Sequence, residues 1–287
     1  MNKIGISSDC MCDLPEDYLE ENSIDILHFY IHTATGRFKD GDEITSENIL
    51  EYLESGEAIL SPNVPPPEEY VEFFEEKLQK YDVLLHISTS DKIGLSYPNA
   101  LAALELMGEN AKRVILINSG GISTGLGHMI LRAAAMRDEG RTAEEITAAC
   151  EEMRGRISSS FIVPGAYYLH RMGYASKAVK NLCALLHVHP VLCVKNGKLS
   201  VKAFQVGNYE KAVMRYVRRE FKNNDRIDKS QLFITHAGCP TKIISQIKAE
   251  TEILCKFDKM TVTKASAVIS SCCGPETVGV LFVNKAV

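Results

Sequence analysis

Val83-Leu84-Leu85-His86-Ile87-Ser88-Thr89-Ser90 is an apolar run that ends abruptly in three hydroxyl residues, and its reading decides the fold. Two other stretches repeat the pattern. Ile4-Gly5-Ile6 runs into Ser7-Ser8-Asp9, and Val114-Ile115-Leu116-Ile117 runs into Asn118-Ser119-Gly120-Gly121. Each is followed by helical periodicity. Short apolar runs closed by small polar residues and followed by helices are βα units, and their repetition implies a parallel sheet. In such a sheet the polar clusters gather at the carboxyl ends of the strands, where ligands of doubly wound folds bind. The expectation is a small ligand with its polar end at that edge.

Outward from these runs, the first 140 residues keep alternating strand and helix. Periodicity predicts helices over 45–53, 68–79, 97–107 and 124–137, and a second strand over 24–31. Asp13-Leu14-Pro15-Glu16 reads as an N-cap, a proline in the first turn and a capping glutamate. Ser61-Pro62-Asn63-Val64-Pro65-Pro66-Pro67 reads as a stiff loop, since proline is excluded from helix interiors and central strands. Thr142-Ala143-Glu144-Glu145 is a capping box opening a further helix. Beyond residue 157 the pattern is mixed, with strands over 160–163, 188–194, 199–203, 232–235 and 278–283 and a helix over 209–221. Lys195-Asn196-Gly197 is a tight-turn sequence. The expected fold class is α/β, with a doubly wound parallel-sheet domain over 1–157 and a mixed-sheet α/β domain over 158–287.

Composition narrows the function classes. A chain of 287 residues can bury two real cores, and 45% hydrophobic with 24% charged residues suits a globular protein. A net charge of −5 argues against a nucleic-acid surface, which needs a basic patch. No apolar run has the length of a membrane span, and Met1-Asn2-Lys3 leads into a strand rather than a signal peptide, so a cytoplasmic protein is expected. Most of the nine cysteines sit in apolar segments and read as small buried hydrophobes, not a disulfide framework.

Several stretches invite chemistry. Asn118 to Gly125 joins a strand to a helix with two adjacent glycines, which let backbone N–H groups approach an anion. It has neither the Gly-Lys-Ser/Thr ending of a phosphate loop nor dinucleotide-type glycine spacing. An ordinary tight turn is the alternative. The hydroxyls of 88–96 suit helix capping as well as ligand binding. Adjacent Cys272 and Cys273 suggest a metal, but two further ligands are missing, so a turn near a cleft is the better reading. His187 and His189 read as structural, and His86, His170 and His236 as satisfied neutral histidines. No nucleophile elbow or zinc-protease motif occurs.

Taken in order along the chain, these loops resemble the DegV family of bacterial fatty-acid-binding proteins. Ser7-Ser8-Asp9-Cys10 is similar to the family's opening Thr-Asp-Ser segment, and Phe38-Lys39-Asp40 to its aromatic-x-Asp. Pro62-Asn63-Val64-Pro65 with Pro67, Glu69 and Tyr70 falls on its Thr-Ser-Gln-Pro-x-Pro-x-Glu-Phe. Gly94-Leu95-Ser96-Tyr97 falls on its Ser-Gly-Thr-Tyr, and Asn118-Ser119 on its Asp-Ser. Tyr168-Leu169, Gly173-Tyr174, Leu185 to Pro190 and Gly197-Lys198-Leu199 continue the order, and Cys272-Cys273-Gly274-Pro275-Glu276 stands where the family has His-x-Gly-Pro-Gly.

The resemblance implies a long-chain fatty acid in a tunnel between the two domains, with no other cofactor and no metal. It implies a binding protein, not an enzyme, whose partner is a fatty acid kinase subunit that carries out phosphoryl transfer. In better-known members a serine or threonine of the Thr-Ser loop, the serine of Ser-Gly-Thr and the late histidine hold the carboxylate. Here Asn63, Gly94 and Cys272 stand at those places, and Tyr174 replaces an arginine. The expected head-group residues are therefore Asn63, Gly94, Leu95, Ser96, Asn118, Ser119, Gly120, Cys272, Cys273 and Gly274. Phe29, Phe161 and Phe204 are expected along the acyl chain. The rival expectation is an enzyme or binder for another small anionic metabolite, with Cys272 as the first candidate nucleophile.

Overall fold

The apolar runs that open the chain form strands, and each hands over to a helix at its polar end. The computed structural model describes residues 3–55, 61–171, 173 and 175–286; the side chains of 61–63 lie outside the described residues. In chain order the elements begin with β1 (Ile4–Asp9), α1 (Glu16–Glu21), β2 (Ile24–Leu27), β3 (Tyr30–Thr33) and β4 (Gly36–Lys39). They continue with α2 (Ser46–Glu54), β5 (Ser61–Asn63), α3 (Pro67–Lys77), β6 (Val83–Ser88), α4 (Ser96–Leu106), β7 (Val114–Asn118), α5 (Thr124–Asp138) and α6 (Ala143–Arg154). The later chain adds β8 (Ile157–Ile162), α7 (Tyr167–Arg171), α8 (Lys177–Leu185), β9 (Val188–Lys195), β10 (Lys198–Val206) and α9 (Tyr209–Glu220). It closes with β11 (Ile227–Ala237), α10 (Thr241–Leu254), β12 (Lys259–Lys264), α11 (Ala267–Cys273) and β13 (Thr277–Asn284).

The chain forms two units. The first comprises Met1–Ile44, Ala58–Ile157 and Asn196–Lys198, and the second Thr45–Glu57, Ser158–Lys195 and Leu199–Val287. The main sheet of the first unit has the order β2-β1-β6-β7, and its three pairings are parallel. Leaving β1, the connection runs outward to β2 on one side, and β6 pairs with β1 on the other. The switch point therefore lies between β1 and β6, where a doubly wound sheet opens its crevice. Leu84 and Val114 join Tyr70, Phe73 and Phe74 of α3 and Ala100 and Ala103 of α4 in one buried cluster. In the second unit the sheet order is β10-β9-β8-β13-β11-β12, with both antiparallel and parallel pairings. Its core gathers Tyr216 of α9 and Phe221 at that helix's C-cap, Ile243, Ile244 and Ile247 of α10, and Val280 and Phe282 of β13. An α/β fold with a parallel sheet and a separate mixed sheet is what the strand–helix pattern implied.

Local departures have physical causes. The single strand expected over 24–31 is two, since β2 belongs to the parallel sheet and β3 to a separate antiparallel sheet of order β4-β3-β5. Residues 61–67 are not wholly loop: Pro62 lies in β5 opposite Ile31, and β5 is an edge, where a missing N–H costs no ladder bond. Asp13 does not cap α1. It takes a left-handed conformation, and its carboxylate accepts a hydrogen bond from the Ser123 hydroxyl, while Pro15 occupies the cap position. The turn expected at 270–276 is partly helix, with Cys272 and Cys273 in the last turn of α11. The Thr142 capping box is present, and a second joins Thr45 to Asn48. The β9–β10 turn places Asn196 and Gly197 at φ 51° and 77°, as a two-residue hairpin turn requires.

Candidate functional site

The carboxyl ends of β1 and β6 carry a buried polar network built on Asp9. Its side chain is fully buried, and five donors converge on the carboxylate. On Oδ2 these are the Thr89 amide at 2.9 Å, the Ser96 hydroxyl at 2.7 Å and the Ser88 hydroxyl at 3.4 Å. On Oδ1 they are the Thr89 hydroxyl at 2.9 Å and the Met11 amide at 3.2 Å. Burial raises the Asp9 carboxyl above its usual range, and the converging donors pull in the opposite direction. Tyr70, fully buried on α3, sets its hydroxyl 3.0 Å from Ser96 Oγ, and Ser88 Oγ lies 2.8 Å from the same atom.

This network fixes what Ser96 can do. Its one proton goes to Asp9, its lone pairs face two further hydroxyls, and the residue is 1% exposed. The loop ahead of it is open: Gly94 and Leu95 are exposed, and nothing would crowd a Cβ at Gly94. The Ser96 hydroxyl is thus committed within the network, whereas Gly94 and Leu95 stand outside it. The Asn118 loop is partly closed on itself. Asn118 Oδ1 accepts from the Gly120 amide at 2.9 Å, and Ser119 Oγ accepts from the Gly121 amide at 3.0 Å. Gly121 O accepts from the Ser90 amide at 2.9 Å, which ties this loop to the one after β6.

Of the remaining expected residues, Phe29 is fully buried between β2 and β3, its amide donating to Cys10 Sγ at 3.3 Å. Asn63 lies in β5 opposite Tyr30, with its side chain outside the described residues. Tyr174 also lies outside them. In the second unit Cys272 and Cys273 are half-buried. Burial pushes the Cys272 thiol up, with Ser271 and Arg171 pulling weakly the other way. A raised thiol is a poor nucleophile at neutral pH, and its raised state counts against the rival enzymatic role of Cys272. Gly274 has φ 79°, and an added Cβ would fall 2.1 Å from the Tyr168 ring. Phe161 on β8 packs partly buried beside Val163, Leu169 and Leu192, and Phe204 on β10 is 57% exposed. Among the described residues, no group of three or more potential ligands could hold a metal ion, and no helix is long and apolar enough to cross a membrane.

The histidine expectations need one correction. His189 and His170 contact backbone carbonyls, as structural histidines do. His86 is neutral but only half satisfied, because its Nε2 has no hydrogen-bond partner among the described residues. The sequence reading missed the central roles of Asp9 and Tyr70. The signal available was Asp9 itself, a charged residue closing an apolar run that pairs on both sides.

A family model described as "Uncharacterised protein, DegV family" matches residues 3–285. A DegV domain-containing protein of Caldanaerobacter subterraneus subsp. tengcongensis is 27% identical over 99% of this chain and 100% of its own length. One from Clostridium acetobutylicum is 24% identical with the same coverage. Among solved structures, a DegV family protein of Thermus thermophilus, described as fatty acid binding, superposes with a TM-score of 0.84 at 24% identity, covering 99% of this chain and 100% of its own. A DegV family protein of Eubacterium eligens loaded with heptadecanoic acid gives a TM-score of 0.84 at 17% identity, covering 98% and 100%.

Proposed function

We propose that this chain, which belongs to the DegV family, binds a long-chain fatty acid and carries it to a fatty acid kinase subunit. The observation that carries the reading is the full-length match to proteins of this fold described as fatty acid binding or loaded with one. Energetics make the reading robust to altered head-group residues. Burying an acyl chain yields roughly 0.8 kcal/mol per CH₂, so sixteen carbons give about 12 kcal/mol gross before ordering costs. A pair of hydroxyl contacts adds only about 1–3 kcal/mol. The tail therefore dominates, and replacing a histidine by Cys272 or a serine by Gly94 weakens selection of the head more than binding of the lipid.

In this reading the head group meets the Gly94 and Leu95 amides of the loop after β6, with Asn63, the Asn118 loop and the Cys272–Gly274 segment as further contacts. The chain performs no chemistry itself; the kinase subunit supplies phosphoryl transfer to the presented carboxylate. The reading takes the protein as cytoplasmic, where nine free cysteines stay reduced. The test is native mass spectrometry with lipid extraction on recombinant protein. One copurifying fatty acid per chain is expected. A chain that emerges empty and binds no palmitate at micromolar concentration overturns the proposal.

A further inference from the structure

Asp9 touches no solvent, yet it holds both ends of the loop 90–95, in which Asp91, Lys92, Gly94 and Leu95 are exposed. The loop leaves β6 through Ser88 and Thr89 and enters α4 at Ser96. All three are hydrogen-bonded to the one carboxylate, two of them at 2.9 Å or closer. Within the loop, Ser90 is fixed from outside by its amide on Gly121 O, and the Ile93 amide turns back onto Ser90 O. Gly94 and Leu95, both exposed residues, then follow immediately before the residue that Asp9 grips.

We propose that Asp9 is the positioning residue of the head-group loop, setting where the Gly94 and Leu95 amides stand without contacting the ligand. The inference rests on the lipid-binding reading above. The carboxylate is the one side chain of this length that fits the donor pattern. Each of its oxygens receives a backbone N–H, Met11 on Oδ1 and Thr89 on Oδ2. In Asp9→Asn either orientation of the amide sets an NH₂ group against one of those N–H donors. One end of the clamp must open, and the loop loses its fixed span.

The experiment compares palmitate with methyl palmitate, which keeps the chain and removes the anionic head. Wild-type protein is expected to prefer the acid at least tenfold. Asp9→Asn is expected to lose most of that preference while its affinity for the ester stays within about threefold. A merely structural role would weaken both lipids together. Equal weakening, or an undiminished preference, overturns the inference. Should Asp9→Asn fail to unfold cooperatively, Thr89→Val decides instead. It removes one hydroxyl donor from Asp9 and keeps the amide, so a preference reduced about threefold supports the inference and an unchanged one overturns it. Wild-type protein that binds both lipids alike also overturns it, and leaves the lipid-binding reading standing. Only wild-type protein that binds neither overturns that reading.

Discussion

His86 is fully buried in β6, with Nδ1 3.0 Å from the Ser7 hydroxyl and its ring in edge-to-face contact with the rings of Tyr70, Phe73 and Phe74. Desolvation lowers its pKa from 6.5 to about 3. The unfolded chain takes up this proton near pH 6.5 and the native chain only near 3, so native protein binds fewer protons in that window. Stability contributed by neutral His86 is therefore present above pH 6.5 and lost as pH falls toward 3. At about 1.4 kcal/mol per pH unit, the loss between pH 6.5 and 4 is about 3 kcal/mol. Asp9 acts with the opposite sign, since a raised carboxyl contributes stability that is lost as pH rises, and comparing two variants cancels it. Urea unfolding of wild type and His86→Leu from pH 7 to 4 checks the sign. The variant should lose about 3 kcal/mol less; parallel losses would show that His86 takes up its proton in the native state as readily as in the unfolded chain. The sequence shows His86 as an isolated histidine, expected to be neutral and satisfied. It could not find the orphaned Nε2, because the aromatic residues around it come from α3.

At the scale of elements, α11 shows how context overrides local preference. Ser270-Ser271-Cys272-Cys273 is a poor helical sequence, since serine side chains compete for backbone groups. The helix exists because Ser266 caps it, accepting from the Ile269 amide, and because Ser270 Oγ lies 2.7 Å from Ser46 Oγ of α2. That partner stands 224 residues earlier, so a linear reading sees a turn. The helix ends at Gly274, where φ 79° and ψ 173° form a combination essentially restricted to glycine. Gly274→Ala should cost about 2–4 kcal/mol, combining backbone strain with the collision against Tyr168. In a Tyr168→Ala background the collision disappears, and the same substitution should cost only about 1–2 kcal/mol. Thermal unfolding of the four proteins reads the difference; fully additive effects would mean that Tyr168 does not pack on Gly274. By contrast β5 was misread through a rule that holds for central strands and relaxes at an edge.

At the scale of the molecule, the parallel unit was legible because each βα step is local, and strand, polar terminus and helix follow one another in the chain. The mixed unit was legible only as a list of strands. β8 lies between β9 and β13, and the residues that pair across the latter boundary come from opposite ends of the second half of the sequence. The polar termini of the parallel strands pointed to a ligand but not to its nature, because the network they build is turned inward onto Asp9. What distinguishes a lipid from a small anionic metabolite is then the apolar part of the ligand, and its length dependence can be measured. If the acyl chain supplies most of the binding energy, affinity should rise by about 0.8 kcal/mol per added CH₂, or about fourfold, from ten carbons toward sixteen. Ligand bound only by the native state stabilises by RT ln(1 + [L]/Kd), so at a fixed fatty acid concentration the unfolding midpoint should climb along the same series. A site for a small anion predicts the reverse, with short carboxylates binding as well as long ones and a flat series of midpoints. Isothermal titration and thermal shift across the even-numbered saturated acids therefore decide between the two, independently of which residues hold the head group.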